Sequence, residues 1–108
     1  MSAPLVSIEE LAAARAEGPV ELVDVRQPEE YEAVHVPGAK LIPLADVVAR
    51  TGEIPKQGPV YVICHTGPRS QRAADYFRNL GIEAYNVDGG TKAWADAGLE
   101  IAQGPLPG

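Results

Sequence analysis

Short apolar runs recur along the chain, and a stretch with helical spacing follows most of them. Val20-Glu21-Leu22-Val23-Asp24-Val25 reads as a buried strand that turns polar at its carboxyl end. Val60-Tyr61-Val62-Ile63 carries no charge and has strong β-propensity, which suits the centre of a parallel sheet. Ile82 to Val87 is a further strand, and Leu5-Val6 and Leu41-Ile42 are short ones. Ile8, Leu11, Ala12 and the stem of Arg15 recur at helical spacing. They follow the capping-box pattern Ser7-Ile8-Glu9-Glu10, and Gly18-Pro19 ends the run. Pro28 to Ala33 predicts a short acidic helical turn, and Leu44 to Arg50 a helix after Pro43. Ser70 to Leu80 predicts a helix through Ala73, Ala74, Phe77 and Leu80, closed by Gly81, and Thr91 to Ala97 a last one before Gly98. Val36-Pro37-Gly38-Ala39 predicts a type II turn with Gly38 at positive φ. Ala102 to Gly108, rich in Gly and Pro, is expected to be a frayed, flexible tail.

Strands alternating with helices predict an α/β fold of about five mostly parallel strands with helices on both faces. The 108 residues suit a single domain, with a core of about residues 5–101. In such sheets a ligand sits beyond the carboxyl ends of the strands.

Charge and cysteine usage narrow the function. Nine Lys and Arg against fifteen Asp and Glu leave a net charge of −6, a surface that repels phosphate backbones, so nucleic acid is excluded as a partner. No apolar run approaches the ~18 residues of a membrane span. The first ten residues lack a basic region and carry Glu9 and Glu10, so no secretory signal is expected. The expected location is the cytoplasm. One cysteine makes no internal disulfide and no cysteine-rich zinc site, and the two histidines, His35 and His65, are far apart. Neither a metal nor a cofactor is expected.

That single thiol, Cys64, stands where the strand Val60–Ile63 ends. His65, Thr66, Gly67, Pro68 and Arg69 separate it from the helix predicted from Ser70. A loop this short turns backbone N–H groups inward as an anion-binding nest, and the positive end of the next helix points at the same spot. Arg69 adds a permanent cation, and Gly67 supplies a positive-φ position or a close backbone approach. Each feature favours a thiolate. Out of context, a lone cysteine beside a valine-rich strand is more often an inert core residue; here the strand-end position, the glycine and the arginine point to a reactive one.

Cys64-His65-Thr66-Gly67-Pro68-Arg69-Ser70 resembles the active-site loop of rhodanese-type sulfurtransferases, Cys-Arg-x-Gly-x-Arg-Ser in its usual form. Asp24-Val25-Arg26 followed by Glu29-Glu30-Tyr31 is similar to the family's Asp-x-Arg…Glu-Tyr segment. His35-Val36-Pro37-Gly38-Ala39 is similar to its His-x-Pro-Gly-Ala motif, and Gly89-Gly90 with Ala93-Trp94 and Gly98 to its Gly-Gly-x-x-x-Trp segment. The resemblance runs from about Leu5 to Ile101. It implies a five-stranded parallel sheet and a persulfide mechanism, in which Cys64 attacks the outer sulfur of thiosulfate and expels sulfite. A thiophilic acceptor (cyanide, a thiol or a protein) then takes the sulfur. His65, Thr66, Gly67, Pro68, Arg69 and Ser70 would line the substrate site. Where the family often has Arg, this chain has His65, which is mostly uncharged at neutral pH when unperturbed, so turnover of thiosulfate is expected to be weak or pH-dependent. A sulfur-relay module with little small-molecule turnover is the alternative. Cysteine-dependent phosphatases and arsenate reductases place five residues between Cys and Arg, against four here, and rank behind both.

The net charge does not exclude a dianionic substrate. Six charges acting on two at ~13 Å cost roughly 1 kcal/mol after screening, whereas one Arg at ~4 Å offers roughly 4 kcal/mol per unit charge before desolvation. Asp24 and Arg26 either edge the pocket or, as the simpler reading has it, form an ion-pair network, with Glu30 a candidate partner for Arg26. His35 is expected to hydrogen-bond backbone near the Pro37-Gly38 turn rather than act as a base. Trp94 is expected in the core, Arg72 is either a compensating cation or a surface residue, and Glu9, Glu10, Glu29, Glu30 and Glu32 are expected on solvated helix faces.

Overall fold

Four-residue strands at the centre and two-residue strands at the edges make one sheet. The computed structural model describes residues 2–108. In chain order the elements are β1 (Leu5–Val6), α1 (Ile8–Glu17), β2 (Glu21–Asp24), α2 (Pro28–Ala33), β3 (Lys40–Leu41), β4 (Val60–Ile63), α3 (Pro68–Asn79), β5 (Ala84–Val87) and α4 (Gly90–Asp96). The sheet order is β1-β5-β4-β2-β3 and every pairing is parallel. Along β4, Val60 and Val62 pack with Val23, Ala73, Ala74 and Phe77 on one face. Ile63 packs with Leu11, Leu22, Tyr31, Val87 and Trp94 on the other. Helix α3 thus covers one face and α1, α2 and α4 cover the other, so the central strands are apolar on both sides.

Local signals act as their chemistry dictates. Ser7 Oγ accepts from Glu10 N–H at 3.0 Å, and the Glu10 carboxylate accepts from Ser7 N–H at 2.9 Å, closing the capping box of α1. Trp94 lies in the core with its indole N–H donated to Glu100 O.

Three expectations need correction. Leu44–Arg50 is not an α-helix: it holds a 3-10 turn at Leu44–Asp46, and a second follows at Thr51–Glu53. Thr51 Oγ1 donates to Val47 O at 2.8 Å, so the hydroxyl shares a carbonyl that the helical ladder would otherwise use. Helix α3 begins at Pro68 rather than Ser70, with Gly67 as its cap. The segment 102–108 is tied down rather than frayed. Ala102 pairs antiparallel with His35, Gly104 N–H donates to Glu32 O at 2.8 Å, and Gly38 N–H donates to Pro107 O at 2.8 Å.

Topology places the site. From β2 the chain moves outward to β3 on one side, and from β4 it moves outward to β5 on the other. The connections therefore diverge between β2 and β4, leaving a crevice at their carboxyl ends. Asp24 and Ile63 are register partners there, and Cys64 is the next residue.

Candidate active site

Cys64 emerges from β4 fully buried. Gly67 at the cap of α3 has φ +135°, a conformation that side chains resist, and it turns the chain back over the sulfur. Pro68 takes the first helical position, where its missing N–H leaves no donor unpaired. The sulfur accepts hydrogen bonds from Gly67 N–H at 3.1 Å and Ser70 Oγ–H at 3.2 Å. Burial by itself pushes the thiol up. The Ser70 hydroxyl and the backbone N–H groups of Ser70, Gly67 and Arg69 outweigh it, and Cys64 lies below the ordinary thiol range. These amides are the otherwise unpaired first-turn donors of α3, so the helix start itself is the anion site.

A second element shapes the loop from behind. Thr91 N–H donates to Cys64 O at 2.9 Å and Lys92 N–H to His65 O at 3.0 Å. Both carbonyls therefore point at α4, and in trans peptides the N–H groups of His65 and Thr66 point the opposite way. Neither N–H has a hydrogen-bond partner among the described residues. Gly90, with φ +61°, permits this approach: a Cβ there would lie 2.4 Å from His65 O and 2.6 Å from Cys64 O. The side chains of His65 and Thr66 are on exposed residues at the rim.

Arg69 is placed differently from expectation. Its guanidinium makes a bidentate pair with Glu30 at 2.7 and 2.9 Å, each side chain about one-third exposed. The Arg69 hydrogen bonds hold Glu30 at about 2, against a burial effect that raises it. Glu30 is therefore no solvated helix-face residue, and its carboxylate pairs with Arg69, not with Arg26. Arg26 lies buried against Asp24, Nη2 to Oδ2 at 2.8 Å, and donates also to the carbonyls of Val34 and Glu30. The Asp24–Arg26 pair ties β2 to the end of α2, which is the ion-pair reading of those residues. Removing one partner of such a pair costs ~3–5 kcal/mol.

The ring of His35 stacks flat on Tyr31, centroids 3.7 Å apart. Its nitrogens lie 2.8 Å from Tyr31 O and 3.0 Å from Pro107 O. It anchors backbone, as expected, and none of these contacts reaches the cysteine loop. Arg72 is exposed. A groove of about 540 Å³ lined by Arg15, Pro19, Val20 and Pro37 opens at the amino ends of β2 and β3, away from Cys64, and holds no nucleophile.

Two contributors escaped the sequence reading. Gly90 was signalled only by the Gly89-Gly90 doublet. Asn86 was signalled by one amide in an otherwise apolar strand; its Nδ2 donates to Gly67 O at 3.1 Å beneath the loop.

The comparisons agree with this geometry. The model of the rhodanese-like domain family matches residues 7–97. In Bacillus subtilis, "Uncharacterized protein YqhL" is 45% identical over 75 residues, 68% of this chain and 60% of that protein. "Putative sulfur carrier protein YrkF" is 40% identical over 74 residues, 68% of this chain and 40% of that protein. The chain thus spans under two-thirds of the length of both. A rhodanese-like domain protein of Staphylococcus aureus superimposes with a TM-score of 0.83 at 38% identity, covering 92% of this chain and 98% of that one. With the cysteine loop, the parallel sheet and the family match in agreement, this chain belongs to the rhodanese-like domain family.

Proposed function

We propose that this chain is a sulfurtransferase that carries sulfane sulfur on Cys64 as a persulfide. The observation that carries the reading is the convergence of the Gly67, Arg69 and Ser70 amides and the Ser70 hydroxyl on one sulfur. Cys64 thiolate attacks the outer sulfur of thiosulfate or a related donor. The new sulfur–sulfur bond forms as the old one breaks, and sulfite leaves with the electron pair. Charge moves from Sγ to the outer sulfur, where the unpartnered amides of His65 and Thr66 supply donors. Cyanide, a thiol or an acceptor protein then attacks that outer sulfur and returns Cys64 as thiolate. Incubation with thiosulfate adds one sulfur to the intact mass of the parent and none to Cys64→Ala; a parent that stays unmodified by every persulfide and thiosulfate donor refutes the reading.

Relay between proteins is the second reading, favoured by the Arg69–Glu30 pair. With its guanidinium occupied, Arg69 offers a free dianion less than an unpaired cation would. The similarity to a protein whose name describes a sulfur carrier supports it. Stable loading with slow release to small acceptors is its expected signature.

A further inference from the structure

Behind the cysteine lies a buried chain of polar side chains. Ser70 Oγ is 3.2 Å from Cys64 Sγ, 3.0 Å from Gly67 O and 2.5 Å from Asn86 Oδ1. One hydroxyl carries one hydrogen, so three acceptors compete for it. The Asn86 amide cannot turn over, because Nδ2 donates to Gly67 O at 3.1 Å and Gln71 Oε1 at 2.8 Å. Gln71 is held in turn, its Nε2 donating to Ala3 O at 3.0 Å and Asp75 Oδ1 at 2.8 Å. Asp75 Oδ1 also accepts from Ala3 N–H at 2.7 Å. Asn86 Oδ1 is thereby aimed at Ser70 as an acceptor in every state of Cys64.

We infer that Asn86 is a positioning residue that acts on Cys64 through Ser70: its carbonyl competes with Sγ for the one hydroxyl hydrogen and so favours the sulfur-loaded cysteine over the empty thiolate. This deepens the sulfur-transfer reading and rests on it. In the empty thiolate the hydrogen turns to Sγ, and Asn86 Oδ1 faces an oxygen lone pair at 2.5 Å. Loading bonds Sγ to the incoming sulfur, whose bond to its leaving group breaks with the electron pair departing on that group. The negative charge now sits on the outer sulfur. Sγ, neutral and divalent, is a weak acceptor, so the hydrogen swings back to Asn86. No proton enters or leaves.

Charged side chains on the elements that carry or flank the loop have partners of their own. Arg69 is paired with Glu30, Asp24 with Arg26, and Lys92 with Asp96. Asp75 is occupied by Ala3 and Gln71, and His65 lies at the exposed rim.

The test titrates the thiolate by its ultraviolet absorbance, unambiguous in a chain with one cysteine, in the parent, Asn86→Ala, Ser70→Ala and the double variant. Losing the competing carbonyl leaves Asn86→Ala with roughly fivefold to tenfold more thiolate at a pH below the midpoint, the worth of one hydrogen bond. Its loaded-to-empty ratio, read by mass at fixed donor and sulfite and at a pH above the midpoint, falls by a similar factor. Ser70→Ala shifts the titration upward, and the double variant matches Ser70→Ala because Asn86 acts only through the hydroxyl. An Asn86→Ala titration that is unchanged or moves upward overturns the inference, since a merely loosened loop loses amide donors and raises the thiol. A double variant that differs from Ser70→Ala overturns it too. Asn86→Val, which fills the space and suits a strand, carries the same test if the alanine variant does not fold. Should the parent take up no sulfur, the transfer reading fails, while the titration still decides whether Asn86 competes for the hydrogen.

Discussion

One methyl group on Gly90 probes how α4 shapes the cysteine loop. In Gly90→Ala the added Cβ would lie 2.4 Å from His65 O and 2.6 Å from Cys64 O, where ordinary contact begins near 3.4 Å. Relief needs a shift of about 1 Å between α4 and the loop. That stretches Thr91 N–H to Cys64 O (2.9 Å) and Lys92 N–H to His65 O (3.0 Å) beyond hydrogen-bonding range. Two lost bonds at ~1 kcal/mol each, with ~1 kcal/mol for a side chain at φ +61°, predict a loss of about 3 kcal/mol. Gly98→Ala is the control: its φ is +75°, but nothing lies within 4 Å of the added Cβ, so only the ~1 kcal/mol backbone cost applies. Denaturant midpoints at unchanged slope measure both. The Cys64 titration moves upward in Gly90→Ala, as the misplaced loop withdraws amides from the sulfur, and stays put in Gly98→Ala. Equal stability losses in the two variants, or a Gly90→Ala protein with an unmoved titration, would refute the reasoning.

Replacing Glu30 with Gln frees the Arg69 guanidinium, and thiosulfate KM is expected to fall about fivefold, the ~1 kcal/mol worth of a partly exposed pair; an unchanged or higher KM would show that Arg69 does not meet the donor. Glu30 sits at about 2 folded against 4.5 unperturbed. A lowered folded value means that its stabilisation is complete above about pH 4.5 and is lost as pH falls toward 2. The stability gap between parent and Glu30→Gln, under ~1 kcal/mol after solvent screening, should therefore close across that window in acid denaturation. Removing residues 103–108 deletes the partners of Gly38 N–H, Glu32 O and the His35 ring. The expected loss is about 1–3 kcal/mol after the entropy of ordering the segment is regained; an unshifted denaturation midpoint would show that the segment contributes nothing.

The fold was legible where one local rule sufficed. Val60–Ile63 has no charge and no alternation because both of its faces are covered, and Ser7 with Glu10 closes a cap within four residues. The Leu44–Arg50 segment departs from expectation because a proline ahead of it favours a helical start of either kind and does not exclude a run of 3-10 turns. Thr51 takes up the Val47 carbonyl there. The tail was misread because Gly and Pro speak for local freedom, whereas Ala102, Gly104 and Pro107 meet partners about 70 residues earlier in the chain.

At the site the division follows the same line. Residue order alone determined that Cys64 follows an uncharged strand, that a short glycine-containing loop leads from it to a helix start, and that amides must crowd the sulfur, because each of these is a short-range consequence of backbone geometry. Tertiary structure decided the rest. Glu30, 39 residues away, occupies the arginine. Gly90 lets α4 draw the loop carbonyls away, and Asn86 reaches the sulfur through a single shared hydrogen. Those partners meet only when separate strands and helices pack, and spacing along the chain carries no record of which charge or carbonyl will face which.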